Sequence, residues 1–141
     1  MVAKLLLAFT IMAICVAIHS MGLLAILRWV RVRMMRGARG FGPSAWRLIR
    51  VAAATILLHL GQVLAWATAY ALGGAMPDFT TAAYFSAVTY TTTGYGDLLL
   101  PQDWRLVGGV EALTGILMCG LSTGMFFAVF SEIFGLKPRN T

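Results

Sequence analysis

Near the middle of the chain stands the hexapeptide Thr92-Thr93-Gly94-Tyr95-Gly96-Asp97, and what it offers is main chain rather than side-chain chemistry. An extended backbone whose successive carbonyls all face one way can replace the hydration shell of a cation. That requires conformations alternating between the left- and right-handed regions. Glycine at positions 94 and 96 takes the left-handed ones without a Cβ penalty. The Thr92 hydroxyl can add one more oxygen at the inner end, and Tyr95 would point outward into surrounding protein and hold the strand in place. One strand cannot enclose an ion, so four chains must meet around an axis.

The elements that must position such a strand follow from composition. The 141 residues are 60% apolar and 11% charged, with mean hydropathy +0.82, too little charge to cover a soluble domain of this size. Residues 5–27 and 51–74 carry no formal charge, and 106–129 carry one acid, Glu111. Each run reaches the roughly 20 residues a helix needs to cross hydrocarbon. The first is too long for a secretory h-region and leads into an arginine cluster rather than a cleavage site. Cys15 and Cys119 lie inside apolar runs, which is neither a disulfide framework nor a metal spacing. No nucleophile and base, and no metal cluster, points to an enzyme.

Charge placement gives the orientation. Arg28, Arg31, Arg33, Arg36, Arg39, Arg47 and Arg50 fall between the first two runs, and Lys137 and Arg139 follow the third. Asp78, Asp97 and Asp103 lie between runs two and three. Basic loops stay in the cytoplasm, so the N-terminus is expected outside and the C-terminus inside. The arginines from Arg28 to Arg50 suit anionic lipid head groups rather than nucleic acid. Their spacing stumbles at Arg33 among glycines, against a voltage-sensor helix.

The first loop carries Gly37, Gly40, Gly42 and Pro43; Ser44 reads as an N-cap before Trp46, with the second helix entering the membrane near Leu48. Trp29 and Trp46 suit the cytoplasmic interface and Trp104 the outer one. Met76-Pro77-Asp78 reads as a helix start with Asp78 or Pro77 near the cap. The dozen residues that follow span roughly 18 Å, only part-way through a bilayer, and the chain must return by Pro101. This is a re-entrant segment, tolerated at membrane depth only within protein or around a water-filled cavity.

In this setting, residues 77–131 resemble the potassium-channel family, whose filter usually reads Thr-Val-Gly-Tyr-Gly. The chain looks most like the small bacterial pore-module channels of the two-transmembrane type, with one extra N-terminal helix. The resemblance implies an all-α membrane protein of three transmembrane helices, with a re-entrant pore helix and selectivity filter between the second and third. The implied domains are residues 1–47 for the first helix and basic loop, 48–134 for the pore module and 135–141 for a cytoplasmic tail. It implies a homotetramer in the bacterial inner membrane that conducts K⁺ passively and has no organic cofactor. Thr92, Thr93, Gly94, Tyr95 and Gly96 would form the filter, with K⁺ at the first four. Asp97 would brace it through Tyr84. Thr93 stands where the family usually has valine, so its hydroxyl needs a partner; Val88 stands where some relatives have glutamate.

The helix dipole ending near Thr91 and the acids at the outer mouth both favour cations. In the third helix, Gly115 and Gly120 fall where the family has hinge glycines, though small residues also permit close packing. Ile116, Cys119, Thr123, Phe127 and Ser131 are expected to face the pore. Thr123 would line the cavity and Phe127 would form the apolar gate, with Phe126 and Phe130 as alternatives. Glu111 is expected to bond Ser86, Thr89 or Thr93 behind the filter, or a backbone carbonyl. His19 and His59 read as helix-packing residues, with Gln62 a partner for His59 one turn away. A unit of a potassium transporter and a non-conducting scaffold are the rival functions.

Overall fold

The computed structural model describes residues 2–36 and 40–134. Four helices follow one another: α1 Val2–Arg36, α2 Phe41–Leu72, α3 Phe79–Tyr90 and α4 Arg105–Phe134, the last preceded by one 3₁₀ turn, Gln102–Trp104. Among the described residues there is no strand. Three stretches are long and apolar enough to cross a membrane: Val2–Val32, Phe41–Leu72 and Gln102–Ile133. The all-α membrane architecture read from the three apolar runs is the one observed.

Two helix boundaries differ from expectation. No glycine or proline interrupts the chain between Leu27 and Arg36, so α1 continues through Arg28, Arg31, Arg33 and Arg36 instead of giving way to a loop. At the start of α2, Gly40 is the N-cap, and the Ser44 amide already donates to the Gly40 carbonyl at 3.2 Å. Ser44 is therefore inside the helix and does not cap it. Pro43 falls in the first turn, where its missing N–H removes no helical bond. Gly37 and Arg39, the segment 135–141, and with it Lys137 and Arg139, lie outside the described residues.

α1 packs on α4 and α2, α2 on α3, and α3 on α4. The apolar core comes in two parts. The larger holds Ala8, Cys15, Trp66, Tyr70, Trp104 and Met118; the smaller holds Val30, Val51 and Val129 near the opposite end. Leucines at 6, 24, 57, 64 and 113 point away from both and are exposed, as helices surrounded by lipid require. Trp104 was expected at an interface but is buried, edge-on to Tyr70 at 6.0 Å. Its ring closes on Gly73, where a Cβ would lie 2.4 Å from it. Lys4 pairs with Asp103 and sits 4.5 Å over the Trp104 ring, tying the start of α1 to the start of α4. At the other end, Arg50 lies 4.8 Å over Trp29 and Arg31 Nε is 3.5 Å from Glu132 Oε2.

Candidate functional site

Helix α3 aims the hexapeptide. Its N-cap is Asp78, whose Oδ1 accepts from the Thr81 amide at 2.8 Å and whose Oδ2 accepts from the Thr81 hydroxyl at 2.8 Å. The Thr81 amide holds the Asp78 carboxyl below the usual carboxylate range. Twelve residues later the helix ends at Tyr90 and its terminal carbonyls gather the next amides. Thr92 N–H donates to the Thr89 carbonyl at 2.9 Å, and the Val88 carbonyl accepts from Thr93 at 3.0 Å and Gly94 at 3.3 Å.

From there every second residue is left-handed: φ is +59° at Thr92, +56° at Gly94 and +78° at Gly96. The sequence assigns this conformation to the two glycines. Thr92 joins them as the one non-glycine residue with positive φ among the described residues. For a β-branched residue that conformation costs about 1–3 kcal/mol and persists only where the surroundings impose it. The alternation turns successive carbonyls to one side, the arrangement that suits a dehydrated cation. Residues 91–97 are exposed in a single chain, Tyr95 to 71%. The protein expected around the Tyr95 ring is not supplied by its own chain.

Several side chains hold this segment. The Tyr84 hydroxyl donates to Asp97 Oδ2 at 2.8 Å, joining α3 to the far end of the strand. The Thr93 hydroxyl lies 2.9 Å from that of Thr91, which donates to the Ala87 carbonyl at 2.7 Å. With the Thr91 proton so used, Thr93 is the donor to Thr91. Glu111 on α4 is fully buried. Of its three expected partners it meets Ser86, at 2.5 Å, and neither Thr89 nor Thr93. Its other oxygen accepts from the Tyr70 hydroxyl at 2.7 Å. Tyr70 lies 41 residues away on α2, with no local pattern to announce it.

Helix α4 has a buried stripe of Val107, Glu111, Thr114, Met118, Ser122 and Val129. Ile116, Cys119, Gly120, Thr123 and Phe127 are exposed on the remaining surface, and Ser131 is half-buried. Gly115 is a contact glycine: a Cβ there would lie 1.8 Å from the Tyr90 carbonyl oxygen. Gly120 has no such neighbour within 4 Å. Phe126, Phe127 and Phe130 line a cavity of about 530 Å³ with Ile56, His59 and Thr123.

The two histidines are not isolated packing residues. Gln62 Nε2 lies 2.7 Å from His19 Nδ1, so Gln62 pairs with the histidine on α1 and not with His59 on its own helix. Both His19 Nε2, at 2.8 Å, and His59 Nε2, at 3.0 Å, reach Ser122 Oγ. His59 Nδ1 lies 3.0 Å from the Tyr90 hydroxyl, which donates to Gln62 Oε1 at 2.6 Å. Sequence spacing could not find this group, since its members lie up to 103 residues apart.

A family model described as ion channel matches residues 52–132. The potassium voltage-gated channel protein Shal of Drosophila melanogaster is 30% identical over 88 residues, covering 61% of this chain and 15% of that protein. The chain thus spans a small part of that relative's length. No solved structure matches. On the strength of the family match and of this relative, the chain belongs to the ion-channel family, with a pore domain of the potassium-channel type.

Proposed function

We propose that four copies of this chain form a K⁺-selective channel, each contributing one strand of backbone carbonyls to a shared filter. One observation carries the reading: the left-handed residues at 92, 94 and 96 alternate along a strand that begins where a half-length helix ends. K⁺ is the transported ion, held at Thr92, Thr93, Gly94 and Tyr95, with Gly96 completing the strand. Residues 79–90 serve as the pore helix, and the negative end of its dipole favours a cation near Thr91. Tyr84 and Asp97 brace the strand from outside, and Glu111 braces the pore helix from behind through Ser86. A neighbouring copy covers Tyr95. Thr123 lines the cavity, Phe127 narrows the inner end, and Gly120 is the place where α4 can bend. Gly115 is reserved for the contact with Tyr90.

In this reading residues 48–134 are the pore module, the N-terminus is outside and the C-terminus cytoplasmic, in a bacterial inner membrane. The Lys4–Asp103 pair supports the shared sidedness of the N-terminus and the filter's outer mouth. Anionic head groups meet the arginines from Arg28 to Arg50. No catalysis, organic cofactor or nucleic-acid partner belongs to this function.

The test is reconstitution of the purified chain in bilayers under a K⁺ gradient. Current reversing near the K⁺ equilibrium potential from a tetrameric assembly is expected. Equal passage of Na⁺, a dimeric assembly or no current at all would overturn the reading.

A further inference from the structure

Five polar side chains from four helices close on one another between the two apolar clusters. The order around the ring is Gln62, His19, Ser122, His59, Tyr90 and back to Gln62, with every link between 2.6 and 3.0 Å. Counting protons fixes its chemistry. Gln62 Nε2 only donates, so His19 Nδ1 accepts and His19 carries its proton on Nε2, which donates to Ser122. The Tyr90 proton goes to Gln62 Oε1, so His59 carries its proton on Nδ1 and donates to Tyr90. His59 Nε2 is left to accept from the Ser122 hydroxyl. All five bonds then run in one direction. Turning the Gln62 amide over reverses all five, and each imidazole still needs one donor and one acceptor nitrogen.

The ring therefore closes only when both histidines are neutral. An imidazolium donates from both nitrogens, so a second proton on either ring sets donor against donor. The two ring centroids are 4.8 Å apart, which further opposes a second charge. His19, Gln62, Tyr90 and Ser122 are buried, so a broken link there is not replaced by water. His59 is part-exposed and lines the cavity beside Thr123 and Phe127, which gives protons an approach. The other titratable groups acting on this region are Cys15 on α1 and Cys119 and Glu111 on α4.

Tyr90 ends α3 two residues before Thr92, with its carbonyl against Gly115. We propose that Gln62, His19, Ser122, His59 and Tyr90 are positioning residues that hold the base of the filter against α4, and that acid releases this hold by breaking the ring. The proposal rests on the channel reading above.

The test uses the full assembled chain in K⁺-loaded vesicles between about pH 7.5 and about pH 5, a range that brackets ordinary imidazole titration. The parent's flux is expected to fall about fivefold with acid, the equilibrium factor of roughly one hydrogen bond. Ser122→Ala cuts the ring and leaves both histidines in place, so its flux is expected to be low already at neutral pH and flat with pH. Ser122→Thr, which keeps the hydroxyl, is expected to restore the parent's profile. A Ser122→Ala protein that conducts and responds like the parent overturns the proposal. Nitrogen-15 resonances of the parent's histidines at neutral pH give a second readout that needs no variant to fold. One Nδ1–H and one Nε2–H neutral imidazole are expected; matching tautomers, or either imidazolium, overturn the ring. A parent that passes no K⁺ at any pH sinks the channel reading instead, and the tautomer pair still decides whether the ring exists.

Discussion

A methyl group added at Gly115 would lie 1.8 Å from a backbone carbonyl, and a main chain cannot step aside as a side chain does. Gly115→Ala is therefore expected to lower stability by about 1–3 kcal/mol, the range of overpacked cores. Gly120→Ala meets nothing within 4 Å in its own chain and is expected to be neutral or better, since alanine favours helix by about 1 kcal/mol over glycine. Thermal unfolding of the two variants beside the parent measures the difference. The letter G does not say which of these roles a glycine has, so the sequence leaves hinge and contact open at both positions. The hexapeptide is legible because its chemistry is local backbone chemistry, and glycine at 94 and 96 announces the left-handed turns. Thr92 gives no such announcement, because β-branched residues rarely adopt that conformation. Tyr70, Tyr90 and Ser122 stay silent for another reason: a hydroxyl finds its role only once other helices bring partners to it.

Among the elements, α3 depends most on its start. It is twelve residues long, too short to be stable by propensity alone, and Asp78 satisfies the Thr81 amide at its first turn. The folded-state carboxyl titrates below its unfolded value, near 3.9 in model peptides. Its contribution is therefore present above about pH 4 and lost as pH falls through the depressed folded value. Asp78→Asn keeps an acceptor at the cap but removes this titration. Unfolding midpoints followed from about pH 6 to about pH 3 are expected to drop less steeply in the variant than in the parent. The cap, the short helix and the three long helices were all readable from spacing and punctuation. The entry to α2 was not, because Gly42 and Pro43 look like breakers and yet sit in a first turn, where neither breaks anything. The extension of α1 was hidden by its arginines, which mark a membrane boundary without marking the end of a helix.

For the molecule as a whole, the exposed face of α4 sets which residues meet the ion path. Phe127 is 69% exposed in the single chain, against 36% and 37% for Phe126 and Phe130. With Cys119 first replaced by serine, Phe127→Cys is expected to react with a water-soluble thiol reagent applied from the cytoplasmic side and to lose K⁺ current as it does so. Phe126→Cys is expected to be spared; modification at 126 and not at 127 would reverse the assigned facing. Assembly itself was only partly legible. The need for several strands around one ion follows from the peptide, whereas the uncovered Tyr95 ring is visible only in three dimensions.

That bare ring and the open strand beside it bear on how the protein is made. A newly inserted copy presents residues 91–97 without cover, and lipid offers no hydrogen bonds to irregular backbone. Its three long helices can settle in the bilayer one by one, yet the segment between α3 and α4 has no comfortable place until other copies arrive. Orphan subunits are thus intermediates rather than products. The yield of finished protein depends on how quickly copies find one another before proteases find them.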